Sequence, residues 1–265
     1  MKLLLRYVRM ELSRNLWNRR FLLCTFCIVT CCVFVDWSMI KNLIQTGKNE
    51  RMYLYTYIIN FQSWIIPLLI FFASFSSCCS FCYDCEKRYY LPLVLSGHKE
   101  SYIWGKVIGN VITTFLAMFL GLSIFCLLLR IIFPGNSDQT LAGNLAYDWS
   151  TYHNNEWMYF FVHNLLLSVA TTFWSTIGLL ISSYIPDVFI TCTSPCVINY
   201  MIERYCMIFM PDILNTDILS RGIPLEEFRL PYNVIYACCL FLAFIVLFGI
   251  IFSYRVHRRI QNGIT

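Results

Sequence analysis

Long apolar runs, separated by short basic or proline-bearing stretches, set the pattern of this chain. Six runs stand out, at about 21–40, 53–83, 107–133, 157–185, 188–209 and 233–254. Each is long enough to cross a ~30 Å hydrocarbon core as a helix, which takes ~20 residues. The second shows no charge between Tyr53 and Asp84. At 1.5 Å per residue it would be about 46 Å long, so it must tilt, bend near Pro67 or protrude. The fourth turns directly into the fifth at Pro186–Asp187.

Residues 1–20 follow a different period. Leu4, Val8, Leu12 and Leu16 recur every four residues among Lys2, Arg6, Arg9, Arg14, Arg19 and Arg20, with Glu11 the lone acid. This predicts an amphipathic helix lying in the membrane interface. A signal peptide does not fit, because the basic zone is too long and no small-residue cleavage site follows it. Between the runs lie a polar connector at 84–106, a loop carrying Pro134, Gly135, Asn136, Asp138 and Asp148, and an acidic, proline-punctuated loop at 210–232. A tail at 255–265 closes the chain. The expected fold is all-α and integral to the membrane: six transmembrane helices behind the amphipathic one, in a single transmembrane domain.

Composition strengthens that picture. Hydrophobic residues make up 58% and charged ones 13%, about half the roughly 25% of soluble proteins. A soluble globule cannot hide so much apolar surface, and the six runs leave no segment for a folded extramembrane domain. Thirteen of the twenty Lys and Arg fall before residue 21, in 84–106 or in the tail. The positive-inside rule then places both termini in the cytoplasm. Tyr53, Tyr55, Tyr57, Trp104, Trp157, Tyr159 and Tyr254 stand at run ends, as an aromatic belt requires.

The 14 cysteines lie in apolar runs or at the inner end of the second run. Cys24–Cys27, Cys79–Cys82 and Cys82–Cys85 have CxxC spacing, but a zinc site needs four converging ligands and no histidine stands near. These cysteines are expected to pack as small apolar residues. No catalytic residue and no metal or cofactor ligand is expected. Leu95-Ser96-Gly97-His98 resembles a nucleotide-cassette signature only faintly, and no GxxxxGK[ST] phosphate loop exists. Glu226-Glu227 sits in a loop without a histidine partner, and His163 has no acidic neighbour at its depth for a proton relay. Glu203 and Arg204 are the most informative charges inside a run. Glu203 lies about 22 Å from the inner surface, where a charge must be paired or wetted. Two readings stay open: the wall of a water-filled substrate path, or snorkelling toward the outer headgroups at a re-entrant break.

These pieces together resemble the permease subunit of type-2 ABC exporters, and at this length the short permeases of bacterial peptide-antibiotic immunity and export. The basic helix at 1–20 is similar to that family's elbow helix, with Arg6, Arg9, Arg14, Arg19 and Arg20 as its interfacial charges. The connector carries Glu86-Lys87-Arg88, Leu95-Ser96 and Gly105-Lys106 in the family's order; Tyr89-Tyr90 replaces its usual Gly–Thr. The resemblance implies export of a peptide, lipid-like or drug-like substrate across a bacterial cell membrane. It also implies a separate ABC ATPase that binds ATP and Mg, a second permease subunit, and no nucleic acid. Asp84, Glu86, Lys87, Arg88, Lys99 and Glu100 become candidates for docking the ATPase. A secondary transporter, which would want buried titratable residues at the midplane, and a sensor or scaffold subunit of a membrane complex are the alternatives.

Overall fold

Helices account for every regular element among the described residues. The computed structural model describes residues 2–35, 37–46, 54–57, 64–87, 99–134, 155–206, 209, 211–221 and 232–261. In chain order the helices are α1 (Lys2–Leu16), α2 (Arg19–Val35), α3 (Trp37–Thr46), α4 (Ile65–Phe75), α5 (Ser80–Glu86) and α6 (Lys99–Ile132). They continue as α7 (Glu156–Tyr184), α8 (Val188–Met201), α9 (Thr216–Arg221) and α10 (Tyr232–Gln261). A π turn (Ile202–Cys206) extends α8, and a 3-10 turn (Asp212–Leu214) precedes α9.

The hub is α7, which packs against α4, α6, α8, α9 and α10 and is buried from Tyr159 through Trp174 to Ser183. Its start is set by Asn155, whose side chain accepts from the backbone N–H groups of Trp157 and Met158 and so satisfies donors the first turn leaves open. Its end is set by Pro186, which holds Ile185 extended. Asp187 then caps α8, accepting from the Ile190 N–H at 2.9 Å.

Among the described residues three helices, α6, α7 and α10, are each long and apolar enough to cross a membrane. Two bent pairs, α1–α2 at 60° and α4–α5 at 44°, bring the number to five if each pair is one span. That is short of the six expected, and the run at 188–209 accounts for the difference. Its helix α8 has only 14 residues, about 21 Å of rise, before the π turn takes over. Several apolar helices of this kind are consistent with a multi-pass membrane protein. Leu22, Leu23, Phe26 and Phe34 on α2, and Leu242, Val246, Leu247 and Ile250 on α10, point outward, a surface that lipid suits and water does not.

The second run bends, but not near Pro67. That proline stands third in α4, where the N–H it lacks would have had no intrahelical partner. The break falls at residues 76–79. There the Ser76 and Ser77 N–H groups turn to the carbonyls three residues back, and Ser76 Oγ donates to the Ala73 carbonyl at 2.7 Å. Serine side chains compete with the backbone ladder in this way. Beyond the break, Ser77 joins α4 to the interior: its Oγ donates to Asn110 Oδ1 (2.8 Å) and meets Thr114 Oγ1 (2.9 Å), and Ser175 Oγ donates to the same Asn110 oxygen (3.1 Å). Between apolar helices such side-chain hydrogen bonds act as glue.

The first helix and the last turns of α10 lie at one end of the bundle. Tyr7 meets Tyr102 edge-on at 6.4 Å, and Phe81 meets Phe252 at 5.4 Å. Arg255 stacks over Tyr184 at 3.9 Å, and Arg259 donates to the Ser183 carbonyl at 3.0 Å, covering carbonyls that the end of α7 leaves open. At the opposite end Arg130 stands 3.8 Å from Glu156.

Candidate functional site at the basic end of the bundle

The geometry here begins with two glycines. A Cβ on Gly105 would stand 2.9 Å from Tyr7 Cβ, and one on Gly109 would stand 2.9 Å from Glu11 Cβ. This small-residue spacing on α6 lets α1 lie against it at backbone distance. The helix expected in the interface is therefore docked along α6. The face it buries carries Glu11 and Asn15, while Leu4, Val8, Leu12 and Leu16 are only half-buried. Arg6, Arg9 and Arg19 remain exposed.

Close packing of α1, α5 and α6 closes a four-charge cluster. Lys106, fully buried on α6, places Nζ 2.8 Å from Glu11 Oε1 and 2.6 Å from Asp84 Oδ2, and donates to the Ser80 carbonyl at 3.3 Å. Lys106 thus meets two carboxylates as ion pairs and one carbonyl through a hydrogen bond, and Glu11 Oε1 has the ion pair without a hydrogen bond. Arg14 repeats the pattern from the rim, donating to Asp84 Oδ1 (2.7 Å), Glu11 Oε2 (3.1 Å) and the same Ser80 carbonyl (3.3 Å). The Tyr102 hydroxyl donates to Asp84 Oδ2 at 2.6 Å. Each cation touches both carboxylates, and the four formal charges cancel. That pairing, with the hydrogen bonds to Asp84, to Glu11 Oε2 and to the Ser80 carbonyl, offsets the desolvation of the buried ions.

The candidate docking residues fall into two groups. Asp84 is buried in the cluster and reaches the surface only at the wall of the cleft described below. Glu86 and Lys87 are exposed where α5 ends, and Glu100 is exposed beside His257, whose Nδ1 is 3.6 Å away. Lys99 is half-exposed, and Arg88 lies outside the described residues. A cleft of about 550 Å³ opens at this corner, lined by Glu11, Arg14, Arg20, Cys79, Glu86 and Lys87 among others. The two candidates of the fifth run sit in the π turn: Glu203 accepts from the buried Asn199 amide, and Arg204 is exposed.

Glu11 and Lys106 belong to the cluster, yet neither stands among the candidate site residues read from sequence. Signals for both existed: a lone acid in a strongly basic helix, and a lysine inside a Gly-xxx-Gly stretch opening an apolar run. Three cysteines also converge. Cys78 and Cys79, from the α4–α5 break, meet Cys192 of α8, and all three Sγ atoms lie within 4.8 Å of one another. None of the CxxC spacings is used, and Cys79 and Cys192 are 113 residues apart in sequence. A separate, mostly apolar groove of about 450 Å³ lies between α6 and α7 near the opposite end, lined by Phe119, Leu127, Trp157 and Phe161 with Ser123 and Asn164. No protein-family model matches the chain, and no curated protein matches it.

Proposed function

We propose that the chain is the membrane-spanning permease subunit of an ABC exporter. It works with a separate ATPase and a second permease subunit in a bacterial cell membrane, with both termini cytoplasmic. The observation that carries this reading is the charge cluster. It fastens the first helix and the exposed Glu86–Lys87 corner to the foot of α6. A partner pushing on that corner would move α6 with it, and a permease without a phosphate loop must receive its work in this way. The resemblance of residues 1–20 and 84–106 to the exporter elbow and connector agrees. The α6–α7 groove, mostly apolar with Ser123, Asn155 and Asn164 as polar groups, suits a lipid-like or amphipathic peptide substrate.

The test is co-expression with ABC ATPases encoded beside this chain, followed by co-purification in mild detergent. The purified chain alone should hydrolyse no ATP, and hydrolysis should follow the retained partner. Glu86→Lys combined with Lys87→Glu should cut ATPase retention severalfold at low salt, where charges at an interface rim act most strongly, without altering membrane insertion. Robust ATP hydrolysis by the chain alone would overturn the reading, as would undiminished retention in the charge-swapped variant together with a failure of any neighbouring ATPase to stimulate transport.

A further inference from the structure

The three converging cysteines have no part in the permease reading. Cys78 is fully buried, and Cys79 and Cys192 nearly so. Cys79 Sγ lies 2.7 Å from Cys192 Sγ and 3.8 Å from Cys78 Sγ. Phe71, Phe75, Tyr83 and Val188 pack around them. Beside them Cys82 Sγ stands 3.2 Å from Thr191 Oγ1, so that thiol of α5 is already engaged.

We propose that Cys78, Cys79 and Cys192 form a binding site for a soft d10 cation, Cu(I). Three sulfurs bound at ~2.3 Å to one metal stand roughly 4 Å apart. The Cys78–Cys79 separation already matches this, and Cys192 must part from Cys79 by only about 1 Å. Soft thiolates select Cu(I) among biological cations. Zinc in structural sites takes four ligands, and iron–sulfur clusters take four cysteines, so a three-sulfur set favours the ion content with fewer. No histidine or carboxylate belongs to the set. Entry is through Cys79, which lines the 550 Å³ cleft at the basic end together with Arg20. The Arg20 guanidinium, 4.6 Å over the Tyr83 ring, supplies positive charge toward the thiolates. Each Cu–S bond that forms releases one thiol proton, and the cleft carries it away. Because the site joins the α4–α5 break to α8, a bound ion would clamp two elements otherwise held by side-chain packing.

The experiment uses the full chain in detergent under anaerobic conditions with a phosphine reductant. Cu(I) is titrated in competition with bathocuproine disulfonate, and the metal shell is read by X-ray absorption. One Cu(I) per chain with a sulfur-only shell is expected. Cys192→Ser should weaken the affinity at least tenfold, whereas Cys126→Ser, at a buried thiol elsewhere, should leave it unchanged. Should Cys192→Ser fail to fold, Cys79→Ser takes its place, and the wild-type absorption spectrum decides independently of either. Nitrogen or oxygen neighbours in that spectrum would overturn the proposal. So would equal affinity in the serine variant, Zn(II) displacing Cu(I) at equal concentration, or a Cys79–Cys192 disulfide formed in place of metal uptake.

Discussion

Lys106 is the residue on which most depends, because it is fully buried and holds two carboxylates from two other helices. Replacing it by methionine keeps the apolar stem and removes the charge, leaving Glu11 and Asp84 to share Arg14. Breaking a buried pair from one side costs about 3–5 kcal/mol, so Lys106→Met should unfold markedly earlier in a thermal melt followed by size-exclusion chromatography. Adding Glu11→Gln removes one of the orphaned charges and should recover part of the loss. Equal melting of the single and double variants would mean the pair is not coupled. Arg14 is two-fifths exposed, so Arg14→Ala should cost less than half as much, with water taking over part of its role. At this scale the sequence was informative about type and silent about pairing. Glu11 was visible as an odd acid and Lys106 as the opening of a run. Nothing local says that the two meet, since four helices, α2 to α5, intervene in the chain.

Between elements, the seam of α1 on α6 rests on Gly105 and Gly109, and a larger side chain there has nowhere to go but into α1. Gly109→Leu should therefore force α1 away and unseat Glu11, at an overpacking cost of about 1–3 kcal/mol plus part of the ion cluster. Limited proteolysis should show faster cleavage near Trp17, which is exposed at the turn between α1 and α2. An unchanged digestion pattern would place the glycines outside the seam. Periodicity made α6, α7 and α10 plain, because long apolar runs have one dominant solution. It did not reveal the break at residues 76–79 or the early end of α8. Both are decided by serine hydroxyls and a π turn, which barely alter hydropathy.

For the molecule as a whole, α1 and the last turn of α10 share an end, with α9 and the 3-10 turn at the other. In a membrane, Leu214→Cys and Arg258→Cys, both at exposed positions, should react with a membrane-impermeant maleimide from opposite sides, Leu214→Cys from outside. Labelling of both from one side would overturn the bundle polarity. The expected orientation rests on the uneven placement of Lys and Arg, a property of the whole chain that no single helix carries, and this labelling is its test. The cluster at the basic end also has a consequence in time. Arg14 is bonded to a residue 70 positions downstream, and at roughly 5–20 residues per second of synthesis that partner arrives about 4–14 s later. Until then Glu11 and Arg14 of α1 have only each other, an i,i+3 pair at 3.1 Å of the kind worth about 0.2–0.5 kcal/mol on an isolated helix. A chain stopped before Lys106 lacks the buried ammonium and cannot close the cluster. The opening of the third run is therefore the earliest point in synthesis at which all four charges can meet.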